Sequence, residues 1–134
     1  MKIRYEEMNA RQKEYFNFVK ASWYLVHEGY ECSWLHNDYH GADFLASSED
    51  ELLRVQLKGR VTFDNKYIGK NLWIMFFAGD YLYMYEHDII LAEYEQARKY
   101  LQEHDTWSTA TMSAELHKIV TEKGRLYLAP TETN

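Results

Sequence analysis

Asp43, Gln56 and Lys58 are an acid, an amide and an amine, side chains capable of chemistry if they converge. Whether they meet depends on the stretch from Gly41 to Arg60, GADFLASSEDELLRVQLKGR. A short run from Asp43 to Ser47, a polar turn Ser48-Glu49-Asp50-Glu51 and a second run from Leu52 to Lys58 read as a hairpin. Period-two alternation puts Leu53, Val55 and Leu57 on one face of the second strand and Arg54, Gln56 and Lys58 on the other. Closing the hairpin then carries Asp43, at the root of the first strand, toward Gln56 and Lys58 at the far end of the second.

An acid on one strand followed by Gln56-Leu57-Lys58 ending the next resembles the PD-(D/E)XK, or restriction-endonuclease-like, nuclease superfamily in the variant where glutamine replaces the middle acid. The pattern is nearest to Holliday-junction resolvase-like and Mrr-like nucleases. It covers residues 9 to about 103, with a long amphipathic helix ending at Gly29-Tyr30 ahead of the motif. The resemblance implies an α/β, single-domain restriction-endonuclease-like sandwich, a mixed central sheet flanked by helices. It further implies Mg²⁺ (or Mn²⁺) held by Asp43, Gln56 and the Leu57 backbone carbonyl, with Lys58 orienting or activating water and stabilising the phosphorane charge. In resolvase-like members a helix glutamate joins the metal site; Glu14 is the match, and Glu28, at the helix end nearest the strands, competes with it.

The expected activity is Mg²⁺-dependent hydrolysis of DNA phosphodiester bonds, with DNA as partner and a homodimer as a further assembly. Gln56 departs from the commoner pattern because it offers a neutral oxygen. A non-catalytic member of the fold, acting as a binding or assembly module, is therefore the alternative, and an unrelated α/β domain with a polar-faced edge hairpin is a third reading. A second acid-x-Lys, Asp64-Asn65-Lys66, lies among Asn and Gly without apolar alternation and reads as a solvated loop.

The chain of 134 residues is long enough for one sizeable core and is read as a single domain, its core about 9–103 and a C-terminal appendage about 104–134. Hydrophobic residues at 46% exclude disorder. One cysteine, Cys32, excludes an internal disulfide, and no apolar run nears the roughly 20 residues that span a bilayer. The start, MKIRYEEMNARQKEY, lacks the apolar stretch of a secretory signal, so a cytoplasmic protein is expected. A net charge of −6 counts against a polyanionic partner, but the charge is unevenly spread. From Arg54 to Lys70 five cations face one acid, whereas Asp80 to Asp105 holds seven acids against Arg98 and Lys99. Arg54, Arg60, Lys66 and Lys70, with His40 at the rim, are the substrate-binding candidates; a basic solvated loop is the plain alternative. His36 and His40 lie in a loop without a third ligand, which argues against structural zinc and leaves His40 or Asp38 to touch a substrate.

These groups need elements to position them. Residues 5–28 read as one amphipathic helix burying Tyr15, Phe16, Val19, Trp23 and Val26, widened by Phe18, Ser22 and Leu25 and ended by Gly29. Glu14 shares a stripe with Phe18, Ala21 and Leu25, at the edge of the buried face. Glu31 to Leu35 reads as a strand and His36 to Gly41 as a turn. After Lys58 a loop or ribbon runs to Asn71; Leu72 to Phe77 is a strand apolar at every position, and Tyr81 to Tyr85 alternates tyrosines with Leu82 and Met84. Asp88 caps a helix from Ile89 to about Gln102 with Ile90, Tyr94, Ala97 and Leu101 inward. His104 to Thr109 is a loop, Ser113 caps a helix to Lys123, and Arg125 to Ala129 adds an edge strand before Pro130 and a polar tail.

Overall fold

A computed structural model describes residues 2–128, without the side chains of Asp38 and Tyr39. The expected strand end at Ala129, the tail from Pro130 and a rim role for Asp38 lie outside the described residues. The strands are β1 (Glu31–Tyr39), β2 (Ala42–Ser47), β3 (Leu52–Leu57), β4 (Val61–Asp64), β5 (Leu72–Ala78), β6 (Tyr81–Glu86), β7 (Thr106–Thr109) and β8 (Arg125–Leu128). The helices are α1 (Ala10–His27), α2 (His87–Glu93), α3 (Glu95–Tyr100) and α4 (Ala114–Lys123). Six strands form a sheet in the order β1-β2-β3-β5-β6-β8, antiparallel except for the parallel pair β3 and β5; β4 and β7 form a separate antiparallel pair. The result is a mixed α/β domain whose mixed central sheet is flanked by helices. No described helix is long and apolar enough to cross a membrane.

Two apolar cores form, one on each side of the sheet. Phe18, Ala21, Tyr24 and Leu25 of α1 cover Phe44, Val55, Met75, Leu82 and Met84. On the other side Ile90, Leu91, Ala97, Leu116 and Val120, from α2, α3 and α4, cover Ile74, Phe76, Tyr83 and Tyr85. Each large apolar side chain so buried stabilises the fold by about 1.5–3 kcal/mol before the entropy of ordering it is counted. β5 and β6 feed both cores, as their continuous apolar sequences require, and Tyr83 and Tyr85 of β6 line the second core. From residue 104 onward β7 pairs with β4, α4 closes the second core and β8 extends the sheet.

The first helix differs from its sequence expectation. It starts at Ala10, where Asn9 accepts the Gln12 N–H and the Gln12 side chain returns to the Asn9 N–H; Tyr5–Glu7 is a separate 3₁₀ turn. Gly29 at φ +93 closes it, with Tyr30 N–H reaching the Leu25 carbonyl and Gly29 N–H the Val26 carbonyl. Its buried face is Phe18, Ala21, Tyr24 and Leu25, while Tyr15, Phe16, Val19, Trp23 and Val26 are exposed. Apolar residues surround this helix so completely that periodicity does not select a face; the small Ala21, fully buried, lets the helix lie close on the sheet.

Two loop readings and one helix reading are also corrected. His36 to Tyr39 continues β1, and the turn is His40-Gly41, both at positive φ, joining Tyr39 to its partner Ala42. The 89–102 helix is two, α2 and α3, broken at Tyr94; α2 begins at His87, so Asp88 lies in its first turn and is not its cap. The inward residues Ile90, Tyr94, Ala97 and Leu101 are nonetheless all buried. Residues 61–64 and 106–109 are strands, and Asp64 is buried.

The ribbon after Lys58 is fixed by polar contacts that local sequence does not reveal. Tyr85 Oη donates to the Thr62 carbonyl at 2.6 Å and accepts the Thr62 N–H at 3.0 Å; burial pushes its pKa well up. Asp64 N–H donates to His87 Nε2 at 3.0 Å, so the other ring nitrogen carries the proton and donates to Asp88 at 2.9 Å. Asp64 itself accepts from Thr106 Oγ1 at 2.5 Å and Lys66 N–H at 2.9 Å. His87 is fully buried, and burial depresses its pKa against the opposing pull of Asp88 and Asp64. An unfolded histidine titrates near 6.5. Below that pH the unfolded chain takes a proton that the folded one refuses, so stability drops until the folded His87 also protonates. The melting temperature should therefore fall from pH 7 toward pH 5. His87→Gln, which keeps one acceptor and one donor but does not titrate, should flatten the fall; an unchanged slope in that variant removes His87 as its source.

Candidate functional site

β2 and β3 form a regular ladder from Ser47 opposite Leu52 to Phe44 opposite Val55, and there the pairing stops. One residue further the strands part. Leu57 N–H donates to the Asp43 side-chain Oδ2 at 2.9 Å, so a carboxylate takes the place of a ladder carbonyl. On its other edge β3 stays paired with β5, and Lys58 N–H reaches the Met75 carbonyl at 2.8 Å. The sheet is forked at this point, and a cavity of about 450 Å³ occupies the fork.

Glu14, Asp43, Gln56, Leu57 and Lys58 all line that cavity. Asp43, Gln56, Leu57 and Lys58 are each half-buried, whereas Glu14 is exposed. Glu14 lies one turn N-terminal to the buried Phe18 on the inward stripe of α1, which ends at the cavity mouth. Glu28 caps the opposite end of the helix and does not line the cavity. Gln56 Nε2 donates to the Leu57 carbonyl at 3.3 Å. The Lys58 ammonium stands 5.2 Å from the centre of the buried Tyr67 ring, and Lys66 lies over the same ring at 5.3 Å.

The basic candidates are placed elsewhere. His40 is exposed in the β1–β2 turn, and Arg54 is half-buried in the middle of β3, opposite Leu45. Arg60 lines a smaller neighbouring cavity of about 230 Å³ that also touches Gly59 and Phe77. Lys66 and Lys70 lie on the β4–β5 connection, Lys66 exposed and Lys70 half-buried. None of the five lines the fork cavity. Sequence reasoning missed Tyr5, Asn17, Trp34 and Phe77, which do. Asn17, one helical turn beyond Glu14 and donating to Tyr5 Oη at 3.2 Å, is the one that helical spacing from Glu14 would have found.

The donor chemistry of the fork fits a hard divalent cation. Every candidate ligand is an oxygen: the Asp43 and Glu14 carboxylates, the Gln56 amide and the Leu57 carbonyl, the class that Mg²⁺ and Mn²⁺ take. The charge is low, and no group of three or more His, Cys, Asp or Glu among the described residues is arranged to hold a metal. Binding at such a site is expected to be weak, since a neutral amide replaces what would be a third anionic ligand.

No protein-family model matches the sequence, and no curated protein matches it. Among solved structures, that of a bacterial homing endonuclease aligns over 85% of this chain and 93% of its own, with a TM-score of 0.48 and 13% sequence identity. A likeness of that degree assigns no chemistry to any residue here.

Proposed function

We propose that the chain is a divalent-metal-dependent nuclease that hydrolyses phosphodiester bonds of nucleic acid, with DNA as the expected substrate. The observation that supports this reading is the gathering of Asp43, Gln56, Leu57, Lys58 and Glu14 around one cavity at the fork of β2 and β3. Asp43, the Gln56 amide oxygen, the Leu57 carbonyl and Glu14 would hold Mg²⁺ or Mn²⁺. When bound, the cation supplies a Lewis acid for the scissile phosphate and a more acidic water. Lys58 orients the attacking water and neutralises charge on the pentacovalent phosphorus. The water oxygen bonds to phosphorus and gives one proton to the surrounding solvent, and the bond to the departing sugar oxygen breaks as that oxygen takes a proton from solvent water. Tyr67 keeps the ammonium at the cavity wall through the face of its ring.

Arg60, beside the fork, and Lys66 and Lys70, on the following ribbon, are assigned to the phosphates flanking the scissile one, with His40 and Arg54 more remote. Steady-state cleavage of labelled DNA with Mg²⁺, with Mn²⁺ and with EDTA tests the reading. Cleavage should require the ion, and Lys58→Met should lower the rate about a hundredfold, a general contribution of this size being usual for a positioned proton-handling or charge-stabilising group. Cleavage that persists in EDTA, or a Lys58→Met rate equal to wild type, sinks this mechanism.

One observation favours a second reading, a non-catalytic module on the same fold: among the described residues only two acids, Asp43 and the exposed Glu14, face the cavity. In that case divalent ions leave the melting temperature unchanged.

A further inference from the structure

A larger cavity, about 970 Å³, adjoins the fork. Met8, Tyr15, Phe16 and Trp34 give it apolar walls, and Arg11 and His36 give it basic ones. Glu14 and Trp34 line both cavities, so the two share a wall. We infer that this groove takes an unpaired nucleobase next to the scissile phosphate, which makes the preferred substrate single-stranded or locally unpaired nucleic acid.

The walls match that occupant. Trp34 is fixed on β1 by its pairing with Phe44 and packs on Phe18 at 5.0 Å between ring centres, with the edge of Tyr15 at 6.3 Å. Tyr15 is 55% exposed and Phe16 41%, so aromatic surface already held in place is open to a ligand. A base offers two apolar faces for stacking, and its phosphate offers an anion to Arg11. The volume lies in the range of small-molecule pockets, enough for a nucleotide. A base inside a duplex is stacked on both faces and cannot enter, so it must first leave the stack. The shared wall supplies the placement: a strand whose phosphate lies at Asp43 and Lys58 has Trp34, which also lines the fork, for its neighbouring base.

This inference rests on the nuclease reading for where the backbone lies. Fluorescence anisotropy in EDTA, with labelled oligothymidylate and the duplex it forms with oligodeoxyadenylate as probes, tests it without cleavage. The single strand should bind more tightly than the duplex, and Tyr15→Ala, a change at an exposed position, should weaken the strand about tenfold, the effect of losing one stacking partner. Arg11→Gln should weaken both probes alike. Equal affinity for strand and duplex, unaltered by Tyr15→Ala and Trp34→Leu, overturns the base pocket while leaving the nuclease reading in place. Tight strand binding with no cleavage on adding Mg²⁺ or Mn²⁺ supports the pocket and overturns the nuclease. Binding of neither probe overturns both. A concentration-dependent dimer abolished by Tyr15→Ala also overturns the pocket, because a second copy then fills the groove.

Discussion

Asp43→Asn is expected to reduce nucleic-acid cleavage by about a thousandfold or more while leaving the melting temperature close to that of the wild type. On the proposed mechanism the charge that would draw a cation into the fork is lost, and cation stabilisation of the reacting phosphate is worth several kcal/mol, about a factor of ten in rate for each 1.36. The fold is spared because an asparagine carbonyl still accepts the Leu57 N–H that now ends on the carboxylate at 2.9 Å. Asp43→Ala separates the two roles. It should lose cleavage equally and also destabilise the fold by about 1 kcal/mol, since the half-buried Leu57 N–H is left without that acceptor. For a chain of this size that is a fall of about 3 °C. Cleavage by the Asn variant within tenfold of wild type would take Asp43 out of the mechanism; equal melting of the Ala and Asn variants would deny its carboxylate the structural role.

Gln56→Glu is the second large effect, and its sign depends on whether an ion binds. The substitution keeps the side-chain length and adds a charge beside Asp43, at a cavity where Glu14 is the other acid. With a divalent ion present the added carboxylate should tighten binding, because charge attraction at ligand distance in a partly dry site is strong. An ion at a hundred times its dissociation constant stabilises the folded state by about 2.7 kcal/mol. The mutant should therefore gain several degrees on adding Mn²⁺ where the wild type gains little. Without ion the new carboxylate opposes Asp43, with the nearby Lys58 as partial compensation, and the mutant should melt below the wild type. Melts in EDTA, Mg²⁺ and Mn²⁺ read this directly. A mutant lowered by the same amount in all three holds no ion, and the non-catalytic reading then stands.

The sequence by itself determined what alternation and capping control. The β2–β3 hairpin, the burial of Leu53 and Val55, the doubly covered β5 and the Gly29 and Ser113 caps all follow from spacings of two, three or four residues. These are local rules, enforced by the backbone within a turn or a strand pair. Tertiary structure decided the rest. Which side of α1 is buried was settled by close packing at Ala21, since apolar residues lie all round that helix. Asp64 reads as a solvated turn residue until β7 and His87, far off in sequence, surround it with Thr106 and the buried imidazole. His36 to Tyr39 reads as a turn, yet β1 runs on through an irregularity after Trp34 to pair Tyr39 with Ala42, which moves the turn to His40-Gly41. The fork is likewise invisible locally. It exists because β5 holds β3 from one edge while β2 leaves the other, and that long-range disagreement between two strand pairings sets Asp43 against Leu57 and opens the cavity.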